Sequence, residues 1–248
     1  MRMPTKAAVL CGGEGTRLRP LTKDRQKTMM EIGPRQRPLL EYIVRLLSYH
    51  GLSEITLLTG YKSEQIERHF DHGARFGVSL TYSKDPENLK GSAQSLAHAI
   101  HQRKIADFDE LVVYYGDILS ALDVRELIAH HLSEGAALTL VLTKDYRVPV
   151  GVAQVAEGRV VAFTEKPTLP LNTTIGCLVM SKQTVPVLEE VTEGGGRDIM
   201  TDFVPSVIAR GMKVSPFYMG GFWQDIGTIE AYDKLDDRLI EENLKFLD

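Results

Sequence analysis

Lys6-Ala7-Ala8-Val9-Leu10-Cys11-Gly12-Gly13-Glu14-Gly15-Thr16-Arg17-Leu18-Arg19-Pro20-Leu21-Thr22, with Lys27 close behind, decides how the chain is read. Lys6 to Leu10 is a short apolar run of buried-strand type. Glycines placed directly after a strand let backbone N–H groups approach an anion, because no Cβ stands in the way. Arg17 and Lys27 bring positive charge to the same mouth, so the segment reads as a phosphate cradle. A P-loop is excluded, since no Gly-x-x-x-x-Gly-Lys-Ser/Thr string occurs. A dinucleotide fingerprint fails as well, because Leu18 stands where its third glycine would be. Pro20 biases Arg19 away from helical geometry, which predicts an extended loop after the glycines and no helix N-terminus.

Outward from this loop, apolar strands alternate with helical patterns. Pro38 to His50 carries Leu39, Leu40, Ile43, Val44 and Leu47 on one stripe and stops at Gly51. Strands are expected at Glu54 to Thr59, Ser79 to Ser83, Leu111 to Tyr115 and Ala137 to Thr143, and helices at Ser63 to Phe70 and Ser92 to Arg103. Asp123 with Glu126 opens a further helix as a capping box. The alternation predicts an α/β fold, a Rossmann-like, mostly parallel mixed sheet flanked by helices. In such folds ligands collect at the carboxyl ends of the strands, and Asp117 stands at one of them. Past Val150 the pattern changes to a hairpin, Gly151 to Ala156 and Arg159 to Thr164. Asp198 to Arg210 reads as a helix, Lys213 to Met219 as a strand, and Thr228 to Leu247 as one charged amphipathic helix.

The string Gly12-Gly13-x-Gly15-Thr16-Arg17-Leu18-x-Pro20-Leu21-Thr22 followed by Lys27 resembles the signature of the sugar-1-phosphate nucleotidylyltransferases, also called NDP-sugar pyrophosphorylases. The resemblance runs from about Lys6 to Tyr232. It implies that Leu10, Gly12, Gly13, Gly15, Thr16 and Gly116 bind the nucleotide, with Arg17 on its outer phosphates and Lys27 near the reacting phosphoryl group. Gln26 is a departure: the family usually carries proline before this lysine. Asp117, and Asp225 within Gly221-Phe222-Trp223-Gln224-Asp225-Ile226-Gly227-Thr228, match the family's metal-binding aspartates, implying Mg²⁺ as cofactor. Glu165-Lys166-Pro167 matches the segment in which glutamate binds sugar hydroxyls and lysine meets the sugar phosphate. Gly151, Gly176 and Thr174 fall at sugar-facing positions. The family's base-reading loop aligns with Asp85 to Gln94, which implicates Asp85, Gly91 and Gln94. Asp85 and Glu87 are similar to the acidic pattern of mannose-1-phosphate guanylyltransferases, whereas Gln94 is closer to glucose-1-phosphate thymidylyltransferases.

By this resemblance Arg17, Lys27 and Lys166 are the catalytic cations of a single in-line transfer from an NTP to a sugar 1-phosphate. GTP with a mannose- or heptose-type 1-phosphate, or dTTP with glucose 1-phosphate, are the favoured pairs. UTP or CTP donors, and a non-catalytic paralogue that senses sugar nucleotides, are the alternatives. The expected organisation is one catalytic domain over 1–248: a nucleotide part over 1–145, a β-rich sugar-binding insertion over 146–227 and a C-terminal helix over 228–248. No hexapeptide repeat announces a left-handed β-helix domain.

At 248 residues the chain has ample length for a core, and its net charge of -4 offers no global attraction to nucleic acid or membranes. Without an apolar run of about 20 residues or a signal-peptide core, the expected location is the cytoplasm. Homo-oligomers are expected by analogy with relatives. Cys11 and Cys177 are expected to be free buried thiols. The pairs His98/His101 and His130/His131 read as solvated helix faces and not as metal ligands.

Overall fold

The computed structural model describes residues 4–148 and 150–247. Its strands, in chain order, are β1 (Lys6–Leu10), the short β2 (Glu31–Ile32) and β3 (Arg37–Pro38), β4 (Glu54–Thr59), β5 (Ser79–Lys84), β6 (Glu110–Tyr115), β7 (Ile118–Ser120), β8 (Leu138–Arg147), β9 (Val152–Ala156), β10 (Arg159–Thr164), β11 (Thr168–Ser181), β12 (Val214–Tyr218) and β13 (Trp223–Asp225). The helices are α1 (Leu39–Tyr49), α2 (Ser63–Phe70), α3 (Ser92–His101), α4 (Val124–Glu134), α5 (Val185–Glu193), α6 (Val204–Ala209), α7 (Ile229–Asp233) and α8 (Asp237–Leu244).

Seven strands form the central sheet in the order β12-β8-β11-β6-β1-β4-β5. All neighbours are parallel except β11, which runs antiparallel to both β6 and β8. The sheet divides two apolar layers, as the pleat of β1 illustrates. Ala7 and Val9 point into the layer shared with α1, α2, α4 and α8, while Ala8 points toward α3, α5 and α6. Helices on both faces match the α/β expectation, and the expected N-cap is present: Glu126 N–H donates to Asp123 Oδ1 at 2.9 Å.

Several local expectations are corrected. The reversed β11 and the helix α5, with Pro186 in its first turn, were not anticipated. The expected C-terminal helix is interrupted after α7, where the Asp236 side chain accepts from Arg238 N–H and starts α8 afresh. The expected helix from Asp198 begins as a π-type turn over Ile199–Phe203. After the glycines the chain makes one 3-10 turn, Thr16–Leu18, and then Arg19 is extended as Pro20 requires.

His131 overturns the expectation of a solvated face. It is 1% exposed, with Nδ1 2.8 Å from Thr139 Oγ1 and Nε2 2.8 Å from Glu110 Oε2 and 2.9 Å from Ser181 Oγ. The imidazole thus ties α4 to three interior strands at the end of the sheet opposite the glycine loop. Removing one partner from a buried polar network leaves the others poorly satisfied, so His131→Ala should lower the unfolding free energy by about 3 kcal/mol in urea denaturation. A loss below about 1 kcal/mol would show that the cluster is solvated on opening and contributes little.

Candidate active site

The glycine loop is built by backbones that touch. Cys11 N–H donates to Leu58 C=O at 2.9 Å, extending the β1–β4 pairing, and Tyr61 N–H donates to Gly12 C=O at 3.0 Å. A Cβ at Gly12 would lie 3.2 Å from the Gly60 nitrogen, and one at Gly60 would lie 2.7 Å from the Gly12 oxygen. Gly60 has no room for a side chain, and one at Gly12 would press on the Gly60 backbone. Gly15 takes φ +63, and a Cβ there would press at 3.0 Å on Lys27 Cβ. Gly116, whose N–H donates to Leu10 C=O at 2.9 Å, completes the close packing beside β1. Together these contacts bring the ends of β1, β4 and β6 to one mouth, where Gly13 is open and Thr16 and Arg17 are exposed.

Charge gathers at this mouth. Lys27 Nζ lies 2.5 Å from Asp117 Oδ2, both side chains being largely shielded. β13 pairs antiparallel with β7, placing Asp225 opposite Ile118, and Ile226 N–H donates to Asp117 C=O at 2.8 Å. Arg17 reaches the same spot: a Cβ on Gly227 would meet Asp225 Oδ1 at 2.7 Å and an Arg17 guanidinium nitrogen at 3.4 Å. Burial, and then the charge of Asp117, push the Asp225 carboxyl above its ordinary range, partly offset by Lys27 and Arg17. Two neighbouring carboxylates, one costly to ionise, suit a divalent cation. Among the described residues no third His, Cys, Asp or Glu completes a protein cage. The donor set therefore fits Mg²⁺, which takes one or two carboxylates and leaves its other positions to water and phosphate.

Beside the loop opens a cleft of about 840 Å³ lined by Leu10, Gly12, Gly13, Asp85, Gly91 and Tyr115 among others. Asp85 sits at the end of β5, its N–H donating to Thr59 C=O at 2.8 Å. Its carboxylate accepts from Ser95 Oγ, which lies 2.8 and 2.9 Å from the two oxygens. Burial raises its pKa against that hydrogen bond. Gly91, at φ +154, lets α3 begin against Arg197, whose carbonyl oxygen would be 2.2 Å from any Cβ. Tyr115, pushed up to about 12 mainly by burial, donates to Ser92 Oγ at 3.4 Å. Gln94 is not in the cleft. It lines a separate groove with His98 and Glu189, because it lies one residue, and hence about 100° of helix, from Ser95. Gly60, Tyr61, Ser95 and Tyr115 were missed from the sequence, although the strand-end rule pointed to Gly60 and Tyr115.

The positions assigned to sugar form a second group. A Cβ at Gly151 would meet the Phe163 ring at 2.2 Å and Glu165 Oε2 at 2.9 Å. Lys166 takes φ +47, and its turn is tied to the end of β8 by Val148 N–H donating to Pro167 C=O at 2.9 Å. Lys166 is exposed, and its charge helps lower the pKa of Glu230. Thr174 is exposed, with Oγ1 3.4 Å from the Gly176 nitrogen. Among the described residues no hydrogen bond or ion pair joins Glu165 or Lys166 to Lys27, Asp117 or Asp225. The structure thus brings together the loop, Arg17, Lys27, Asp117 and Asp225, while Lys166 acts electrostatically on Glu230.

A doubly wound sheet with a glycine-lined mouth, where cations and a carboxylate pair meet at the strand ends, defines the class of this α/β protein. The sequence profile of the nucleotidyl transferase family matches residues 6–242, and the chain belongs to that family. It is 32% identical to a UTP–glucose-1-phosphate uridylyltransferase of Synechocystis over 92% of this chain and 61% of that protein. It is 31% identical to a mannose-1-phosphate guanylyltransferase of Mycobacterium tuberculosis over 91% of this chain and 62% of that protein. A glucose-1-phosphate adenylyltransferase of Deinococcus deserti is 26% identical over 96% and 67%. The chain thus spans about three fifths of the length of the first two. A crystal structure of a Bacillus anthracis protein assigned as a glucose-1-phosphate thymidylyltransferase, in complex with sucrose, superposes with a TM-score of 0.74. It is 24% identical, covers 93% of both chains and has the same fold.

Because the folded-state pKa of Asp85 is raised, its ionised form opposes folding at neutral pH, and that penalty disappears as pH falls below its ordinary value of 3.8. Asp85→Asn should therefore raise the melting temperature at pH 8, with the gain shrinking toward pH 4. A melting temperature lowered equally at both pH values would contradict the argument.

Proposed function

We propose that the protein transfers a nucleotidyl group from an NTP to a sugar 1-phosphate, giving an NDP-sugar and pyrophosphate. The observation that supports this most is the convergence of the Gly12–Gly15 amides, Arg17, Lys27, Asp117 and Asp225 on one mouth. In the reaction a phosphate oxygen of the sugar 1-phosphate forms a bond to the α-phosphorus. The bond from that phosphorus to the bridging oxygen of the β-phosphate breaks, and pyrophosphate leaves with the electron pair. The attacking phosphate is already ionised near neutrality, so no general base is required. Mg²⁺ held by Asp117 and Asp225 would neutralise phosphate charge. Lys27 offsets charge where the two polyanions meet, and Lys166 takes the sugar phosphate. Arg17 and the loop amides receive the leaving pyrophosphate. Glu165, with the backbone at Gly151 and Thr174, binds sugar hydroxyls. Residues 1–145 serve the nucleotide and 146–227 the sugar, with 228–248 as a closing C-terminal element. We assign the protein to the cytoplasm, where nucleoside triphosphates are made and used; among the described residues no helix is long and apolar enough to cross a membrane.

GTP is the donor that the cleft suits best. Guanine offers N1–H and an N2 amine side by side, and a carboxylate such as Asp85 accepts from both. Thymine and uracil present one N–H between two carbonyl oxygens, which a carboxylate repels. The amide that would favour thymine, Gln94, lies in the other groove. A mannose- or heptose-type 1-phosphate is the matching acceptor.

Pyrophosphate release with Mg²⁺ should be measured for GTP, ITP, dTTP, UTP, CTP and ATP against mannose, heptose, glucose and galactose 1-phosphates. GTP should lead, and ITP, which lacks the N2 amine, should fall in kcat/KM by about 10-fold or more. Preference for UTP would remove the base assignment and leave the transfer reaction standing. Silence across the grid would favour a sugar-nucleotide-sensing paralogue. Asp225→Asn, still folded by circular dichroism, should lose about 10²-fold or more in kcat at saturating Mg²⁺; near-normal turnover would end its assignment as a metal ligand.

A further inference from the structure

Gln26 is completely buried, and every polar group it carries is engaged. Its side-chain amide donates to Cys11 C=O at 2.5 Å, the carbonyl directly before Gly12 and Gly13. Its carbonyl oxygen accepts from Thr28 N–H at 2.5 Å and from Thr28 Oγ1 at 2.7 Å. Its backbone N–H donates to Gln65 Oε1 at 2.8 Å, and Gln65 in turn donates to Asp24 C=O at 2.9 Å. The residue between these anchors is Lys27. One side chain thus spans from the strand end that begins the phosphate loop to the single 3-10 turn, Lys27–Met29, that presents the ammonium to Asp117.

We propose that Gln26 is a positioning residue for the transfer reaction, fixing Lys27 relative to the glycine loop. The backbone at Gln26 has φ -66, the value a proline ring would impose, with an extended ψ of 138. In this chain hydrogen bonds hold that conformation, and they add a link that a ring cannot make, the bond to Cys11. The consequence is mechanical. A cation that must meet developing charge gains most when it cannot relax away from it, and a shift of about 1 Å can cost about 10²-fold in rate. Gln26 sets the spacing between the two elements that meet the phosphates, the loop amides and the ammonium. Because its amide is buried at both ends, the spacing does not depend on solvent.

The proposal rests on the reading of the mouth as a nucleotidyl-transfer site, and a double-mutant cycle in kcat tests it separately. Gln26→Met keeps the volume and removes all three side-chain hydrogen bonds; Gln26→Ala serves as a second variant if the first does not fold. Gln26→Met should lower kcat by about 10-fold or more while KM for the sugar 1-phosphate changes by less than about 3-fold. Lys27→Ala should cost about 10²-fold, and Gln26→Met/Lys27→Ala should be no slower than Lys27→Ala within about 3-fold, since Gln26 acts through Lys27. Losses that multiply in the double variant, or a Gln26→Met enzyme within about 2-fold of wild type, would overturn the proposal while leaving wild-type turnover, and so the reading of the site, intact. A wild-type protein silent toward every donor would remove both together.

Discussion

Backbone against backbone, with no side chain between, is the contact on which the rest of this structure depends. Gly12 and Gly60 face each other at the ends of β1 and β4, and Gly116 lies against Leu10 at the end of β6. Three adjacent strands thereby finish at nearly the same depth, and the loops that leave them start within reach of one another. Any Cβ here would force the strand ends apart. Beside these contacts Tyr61 N–H donates to Gly12 C=O just before α2. The apolar layers on the two faces stabilise the sheet through burial of aliphatic and aromatic surface, but those layers would accept many rearrangements of similar volume. The glycine contacts accept none, which is why the mouth, and not the core, specifies what this sheet can do.

Around that frame the electrostatics run against stability. Asp225 stands beside Asp117, and Asp85 is partly buried against Ser95; desolvation raises both carboxyls above their ordinary range. A fold selected for stability alone would not place anionic groups there. Lys27 and Arg17 offset part of the cost for the aspartate pair, and each is also positioned to meet a polyanion. Cations and carboxylates interleaved in this way have low net charge at rest and strong local fields for a ligand that brings both phosphate and a divalent ion. Under the proposed function such a ligand completes the arrangement, as a preorganised site is expected to require.

What could be seen in the sequence follows from how local each signal is. Lys6–Leu10 and its glycines, the stripe of α1 and the cap at Asp123 depend only on neighbouring residues, and all stand in the structure. The reversal of β11 was invisible, because an apolar run encodes burial and not direction. His131 looked like surface because its three partners come from strands distant in the chain. Gln94 looked like a base reader because it adjoins Gly91 in a linear alignment, whereas the helix turns it away and brings Ser95 to Asp85 instead. The interruption after α7 was hidden for the opposite reason: the amphipathic pattern continues through Lys234–Asp236, and the Asp236 cap overrides it locally. Gln26 carried a different lesson. In sequence it is only a departure from the family's proline, and the folded chain shows four hydrogen bonds in place of the ring.

The hairpin β9–β10 contrasts with all of this. Its residues are exposed along both strands, including Val155, Val160, Val161 and Phe163 at 62–66%. A two-stranded ribbon with so little packing has few contacts to hold it at one angle to the main sheet. Yet its base carries Gly151 and leads into Glu165 and Lys166, the positions proposed for the sugar. Phosphate chemistry is the same for every donor and acceptor, and the groups proposed for it sit on strand ends fixed by glycine packing and by the Gln26 clamp. Sugar identity is what differs, and Gly151, Glu165 and Lys166, proposed for it, sit beside the exposed hairpin. Under that reading the rigid half supplies rate and the exposed half supplies choice. The two can then vary independently, because the only covalent links between them are the extensions of β8 and β11 beyond the central sheet.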